Sequence, residues 1–117
     1  MRDFRKYDIW IDSMELVDEV YTFVEAFPNN EKYGLSSQIT RSAVSIPSNI
    51  AEGASRNSAK DFARFLEIAL GSAFELETQL IIAERRTYLS VVHLKESILK
   101  LNSLQKRIYA LRKKIVN

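Results

Sequence analysis

Two runs of polar side chains stand at helical spacing beside apolar ones, and these are the residues that could do chemistry. Leu35, Ile39, Ala43, Ile46 and Ile50 make one apolar stripe, with Arg41, Ser45, Asn49 and Glu52 on the flanking and opposite positions. Further on, Ser72, Glu75 and Gln79 border the apolar stripe of another segment. A guanidinium and a carboxamide on one helix complement a carboxylate and a carboxamide on a second, and such groups tolerate burial only when paired. Two uses fit these residues. Arg41 with Glu75 or Glu77, and Asn49 with Gln79 or backbone, would form a structural polar seam that sets the register of two helices. Alternatively, the same groups line a site for a ligand or partner. Pro47 lies inside the first run, where it removes a backbone donor and predicts a kink.

Acid–base and metal chemistry find little support. His93 is the only histidine and reads as a surface residue near a helix start. Cysteine is absent, and no His-x-x-x-His or Glu-x-x-His pair supplies the ligands of a di-metal bundle site. Glu52, Glu75 and Glu77 do not have the spacing of a calcium loop, and no glycine-rich loop cradles phosphate. The expectation is a protein that is not an enzyme and carries no cofactor.

Charge is more informative. Residues 1–84 hold eight Lys/Arg and fourteen Asp/Glu, whereas residues 85–117 hold nine and one. Such segregation predicts an acidic surface and a basic one. Within the basic part, Lys100, Arg107 and Lys114 recur every seven residues, with Lys106 and Lys113 beside that row and no acid from Lys100 to Lys114. A row of this kind suits a nucleic-acid backbone contacted by charge alone. It also suits helix-end capping and solubility, or an acidic protein partner. Tyr109 is the one aromatic among these charges and reads as packing.

Four helices must position these residues. The first is expected from about Tyr7 to Ala26, with Ile9, Leu16, Val20, Phe23 and Phe27 on one stripe and Trp10, Met14, Val17, Tyr21 and Val24 on a second. That apolar face is wider than one seam needs, so it meets two neighbours in its own bundle or spills onto a subunit interface. Pro28 to Gly34 reads as a loop, and Ser36 as the N-cap of a helix reaching about Ala54, with Gly53 near its stop. Ser58 and Asp61 have the form of a capping box before the heptad Phe62, Leu66, Ala69, Ala73, Leu76, Leu80 and Ala83. Gly71 in that helix is expected to admit a neighbouring backbone or bulky side chain. A steric penalty on Thr87 argues against a left-handed ending there. The fourth helix starts after Ser90 and buries Leu94, Ile98, Leu101, Leu104, Ile108, Leu111 and Ile115. Short connections predict one all-α domain over residues 1–117, an antiparallel up-down-up-down four-helix bundle. The charged opening from Met1 to Asp8, and the lack of any long apolar run, predict a cytoplasmic protein without membrane contact.

From Ile9-Trp10 to Leu80 and beyond, the chain resembles a bacterial four-helix-bundle family typified by the intervening-sequence protein of 23S ribosomal RNA. The residues that carry the likeness are Phe27-Pro28, Tyr33-Gly34-Leu35, Gln38, Arg41, the run Ser45-Ile46-Pro47-Ser48-Asn49-Ile50-Ala51-Glu52-Gly53, and Gly71-Ser72 with Glu75-Leu76-Glu77. Relatives often carry Gly where Arg86-Thr87-Tyr88 stands. The resemblance implies a non-enzymatic accessory protein linked to RNA or to mobile elements. Some relatives are encoded inside ribosomal RNA intervening sequences, and others resemble the retroelement accessory protein that binds a reverse transcriptase and nucleic acid. It also implies a ring-shaped homopentamer, with part of the Trp10-Met14-Val17-Tyr21 stripe near a subunit contact. Partners on this reading are RNA or DNA, and a reverse transcriptase or another protein. The rival reading is a structural or protein-interaction adaptor with no nucleic-acid contact of its own.

Overall fold

A computed structural model describes residues 2–116. Its long elements are α1 (Asp8–Glu25), α2 (Leu35–Ala54), α3 (Ala59–Arg85) and α4 (Val91–Val116), with single 3-10 turns at Phe4–Lys6 and Asn29–Glu31. The described residues contain no strand. All four helices feed one core cluster. It takes Ile9, Leu16 and Val20 from α1, the Ile39, Ala43, Ile46 and Ile50 stripe from α2, the Phe62-to-Ala83 heptad from α3, and Leu94, Leu101, Leu104 and Ile108 from α4. The 3.6-residue period of the apolar positions therefore faces inward in every helix. Packing is most extensive between α2 and α3 and, of the long helices in contact, least between α1 and α4.

The helix ends show which local signals were decisive. Helix α2 begins at Leu35 rather than after a Ser36 cap. Its cap comes from the preceding turn, where Glu31 Oε1 accepts the Leu35 N–H at 3.1 Å. A Cβ on Gly34 would lie 2.8 Å from that same oxygen, so glycine leaves room for the bond. The other Glu31 oxygen accepts the Tyr88 hydroxyl at 3.1 Å, so one carboxylate ties the α1–α2 and α3–α4 connections together. Ser58 does cap α3, accepting the Asp61 N–H at 3.0 Å. Ser90 Oγ accepts the His93 N–H at the start of α4, and the exposed His93 ring stacks on Phe23 at 5.3 Å.

Three expectations need correcting. Thr87 does adopt the left-handed conformation, with φ 66°. The Tyr88 N–H reaches Ala83 O and the Thr87 N–H reaches Glu84 O, both at 2.9 Å, which are the paired closing bonds usually built on glycine. Tyr88 is held by Glu31 and packs on Phe27 at 5.4 Å, and this anchoring offsets the strain at Thr87. Helix α2 does end at Ala54, as expected, but Gly53 is not its left-handed cap. It lies inside α2, where an added Cβ would meet Phe65 Cβ at 2.7 Å, so it lets α2 approach α3 closely. Gly71 is the reverse case: a Cβ there would meet nothing within 4 Å among the described residues, so no neighbour presses on it.

Candidate nucleic-acid interface

Helix α4 carries the basic row, but α1 lies beside half of it. Asp8, Asp12 and Glu19 of α1 face α4 across the loosest seam of the fold. The Lys100 ammonium donates to Glu19 Oε1, and this hydrogen bond, followed by the Glu19 charge, raises the Lys100 pKa above its ordinary value. Arg107 Nη1 lies 2.7 Å from Asp12 Oδ2 and 3.2 Å from Asp8 Oδ2, while its Nε donates to Ser103 Oγ at 3.2 Å. The Lys100–Arg107–Lys114 row is therefore not a free basic strip, because two of its three cations are already engaged. Arg112 is likewise taken by Glu67 of α3 at 3.2 Å. Lys106, Lys113 and Lys114 are exposed and have no acidic partner among the described residues. Lys106 and Lys113 sit about 100° round the helix from the engaged row.

The α2–α3 seam exists, with different members. Ser42 Oγ donates to Glu75 Oε1 at 3.1 Å, and the Ser45 and Ser72 hydroxyls bond each other at 2.8 Å. Asn49 Nδ2 turns back onto its own helix, donating to Ser45 O at 2.8 Å and Ser45 Oγ at 2.9 Å. The expected Arg41 pairing with Glu75 or Glu77 is absent: Arg41 is exposed, and Glu77 accepts instead from Gln105 Nε2 of α4 at 2.8 Å. Glu52 pairs with Arg56 one turn on, at 3.0 Å. Gln79 is buried with its Oε1 unbonded among the described residues, and no bond joins it to Asn49. The physical reason is that the α2 side of the seam is met by short serine hydroxyls, Ser42 already satisfying the Glu75 carboxylate, and the long Arg41 side chain goes to solvent. Gln38, Arg41, Ser42, Ser45, Glu75 and Gln79 line a shallow groove of about 470 Å³ along it.

On the opposite flank of α2, Trp10, Met14 and Val17 meet Val44, Pro47 and Ala51 in an apolar groove of about 350 Å³. Trp10 and Val17 are half-buried, Trp10 edge-on to Phe4 at 5.1 Å, whereas Met14 and Tyr21 are exposed. Tyr21 lies outside the groove lining. Sequence reading passed over Phe74 and Leu99, two large apolar residues that the fold leaves exposed. The available signal was that neither belongs to the heptad of its helix.

Among the described residues no group of three or more His, Cys, Asp or Glu could hold a metal ion, and no helix is long and apolar enough to cross a membrane. The class defined by the fold is, over the described residues, an all-helical protein whose four long helices close on one hydrophobic core. The chain matches the 23S rRNA-intervening sequence protein family over residues 5–110 and belongs to that family. It is also similar to a crystal structure from Bacteroides thetaiotaomicron, a protein of unknown function from the S23 ribosomal protein family. That likeness has a TM-score of 0.82 and 25% identity, and covers 90% of this chain and 95% of that one. No curated protein matches the chain.

Proposed function

We propose that this chain is a cytoplasmic, non-enzymatic accessory protein that binds the backbone of nucleic acid by charge and works as a homo-oligomer, a pentamer. Its helices are assigned to an antiparallel up-down-up-down bundle. The support is the sense of the cross-helix pairs: Ser42 with Glu75 and Ser45 with Ser72, then Gln105 with Glu77 and Arg112 with Glu67.

One observation carries the nucleic-acid reading. While Lys100 and Arg107 are engaged by α1, Lys106, Lys113 and Lys114 keep their charges on the exposed side of α4. The family's name, 23S rRNA-intervening sequence protein, supplies an RNA context. The test is a titration with RNA and DNA at several salt concentrations. Each phosphate neutralised on duplex DNA should contribute about −0.9 to the slope of log affinity against log salt. Replacing Lys106, Lys113 and Lys114 by Gln should weaken binding and flatten that slope. Replacing Lys100 and Arg107 by Gln should change it far less. An unaffected lysine triple variant, with its fold checked by circular dichroism, would remove these residues from the mechanism.

Assembly rests on the apolar groove between α1 and α2, where Met14, Val44 and their neighbours offer a surface of the kind enriched at interfaces. Light scattering at micromolar concentration tests it, and a strictly monomeric mass overturns the oligomer. A chain that binds no nucleic acid even at low salt would instead be a protein-interaction adaptor using this groove.

A further inference from the structure

The α3–α4 face places two aromatic rings where the core does not use them. Tyr109 and Phe74 are each 53% exposed, and neither ring packs against another aromatic among the described residues. Register brings them together. Gln105 Nε2 bonds Glu77 Oε1 at 2.8 Å, so one turn onward along α4 and about one turn back along α3 set Tyr109 level with Phe74. The Arg112–Glu67 contact continues that register beyond them. Lys106 and Lys113 stand three residues before and four after Tyr109, on the same face of α4. Of the acids on this face, Glu67 is paired in charge with Arg112, and the half-buried Glu77 is tied by a hydrogen bond to the neutral Gln105 amide. The surface therefore combines two available rings with two lysines that have no acidic partner among the described residues.

We infer that this face binds single-stranded nucleic acid, with bases stacking on Tyr109 and Phe74 while Lys106 and Lys113 hold the phosphates. The inference rests on the nucleic-acid reading above and narrows it. A duplex hides the faces of its bases and offers the lysines only its backbone, whereas an unpaired strand offers both. An apolar protein partner would cover the rings but leave both ammonium groups without a counter-charge, so phosphate is the better complement.

Anisotropy titrations of a labelled RNA of about 12 nucleotides, free and annealed into a duplex, test this at low salt. Single strands should bind more tightly than duplex. Tyr109→Ala should weaken single-strand binding by about tenfold and leave duplex binding unchanged, since a stacked base contributes on the order of 1–3 kcal/mol by alanine substitution. Phe74→Ala should act in the same direction. Tyr109→Trp should retain affinity, and its fluorescence should be quenched by the single strand. Equal affinity for both forms, or no effect of Tyr109→Ala, overturns the stacking. In that event a Lys106→Gln/Lys113→Gln variant that weakens both forms leaves the charge-only reading standing. A change in molar mass on Tyr109→Ala would make the ring a subunit contact and overturn the inference. Absence of wild-type binding to either form would remove both readings together.

Discussion

Arg107 of α4 holds two carboxylates of α1 at once, its Nη1 lying 2.7 Å from Asp12 Oδ2 and 3.2 Å from Asp8 Oδ2. With the Lys100–Glu19 contact, this pairing joins the acidic first part of the chain to its basic last part. Helices α1 and α4 approach each other over the shortest stretch of the neighbouring helix pairs, so charge pairs supplement packing where the helices meet least. A segregation of charge that looks, along the chain, like two opposed surfaces is cancelled in part within the fold itself.

Arg107→Gln should lower stability by about 1 kcal/mol, because the arginine side chain is two-thirds buried but its carboxylate partners stay substantially in water. A double-mutant cycle with Asp12→Asn should return a coupling of roughly 0.5–1 kcal/mol that shrinks with added salt. Urea denaturation at low and high salt measures it. A coupling of zero at low salt would mean that the pair is geometric only.

Lys100 gives the pH dependence. Its folded pKa is raised above the ordinary 10.5 by the hydrogen bond to Glu19 and the charge behind it. The stabilisation is therefore complete below the unfolded pKa and is lost as pH rises through the folded one. The gap in urea midpoint between wild type and Lys100→Gln should be constant below about pH 10 and close above it. A gap that widens with alkalinity would contradict the assignment.

The two glycines inside helices should respond oppositely to alanine. Gly71→Ala adds a Cβ to open space and restricts the unfolded chain, so stability should rise by about 0.5–1 kcal/mol. Gly53→Ala drives a Cβ to 2.7 Å from Phe65 Cβ and 3.0 Å from Phe62 Cδ1. Its overpacking should destabilise by about 1–3 kcal/mol. Thermal melts of both variants decide the matter, and a destabilised Gly71→Ala would mean that something outside this chain's own contacts needs that space.

Thr87 is held at φ 66° in a position that glycine fills without strain. Relief of that strain in Thr87→Gly should outweigh the extra freedom of the unfolded chain and stabilise by about 1 kcal/mol. Thr87→Val keeps the strain and the β-branch, and should not stabilise. Chemical denaturation of the two variants makes the comparison.

How much of this was legible beforehand follows from the range over which each signal acts. Helix periodicity is local, so the apolar stripes of α2, α3 and α4 and the Ser58 and Ser90 caps could be read from residues within a few turns of one another. The Ser45-to-Gly53 run carried the family likeness, which the match over residues 5–110 bears out. The partner a side chain takes is not local. Arg107 could be placed on a row with Lys100 from the heptad spacing alone, but only the packing of α1 alongside α4 made that row the paired side. Arg41 and Glu75 matched in charge, yet in the packed α2–α3 pair it is the Ser42 hydroxyl that meets Glu75, while the arginine lies outward. Glu31 reached the start of α2 and Tyr88 together only once both connections lay at the same end of the molecule. Sequence by itself determined which face of each helix turns inward, because water excludes apolar side chains wherever the helix sits. Tertiary structure decided which charges remain free, because that depends on the distance between helices that the chain brings together from far apart.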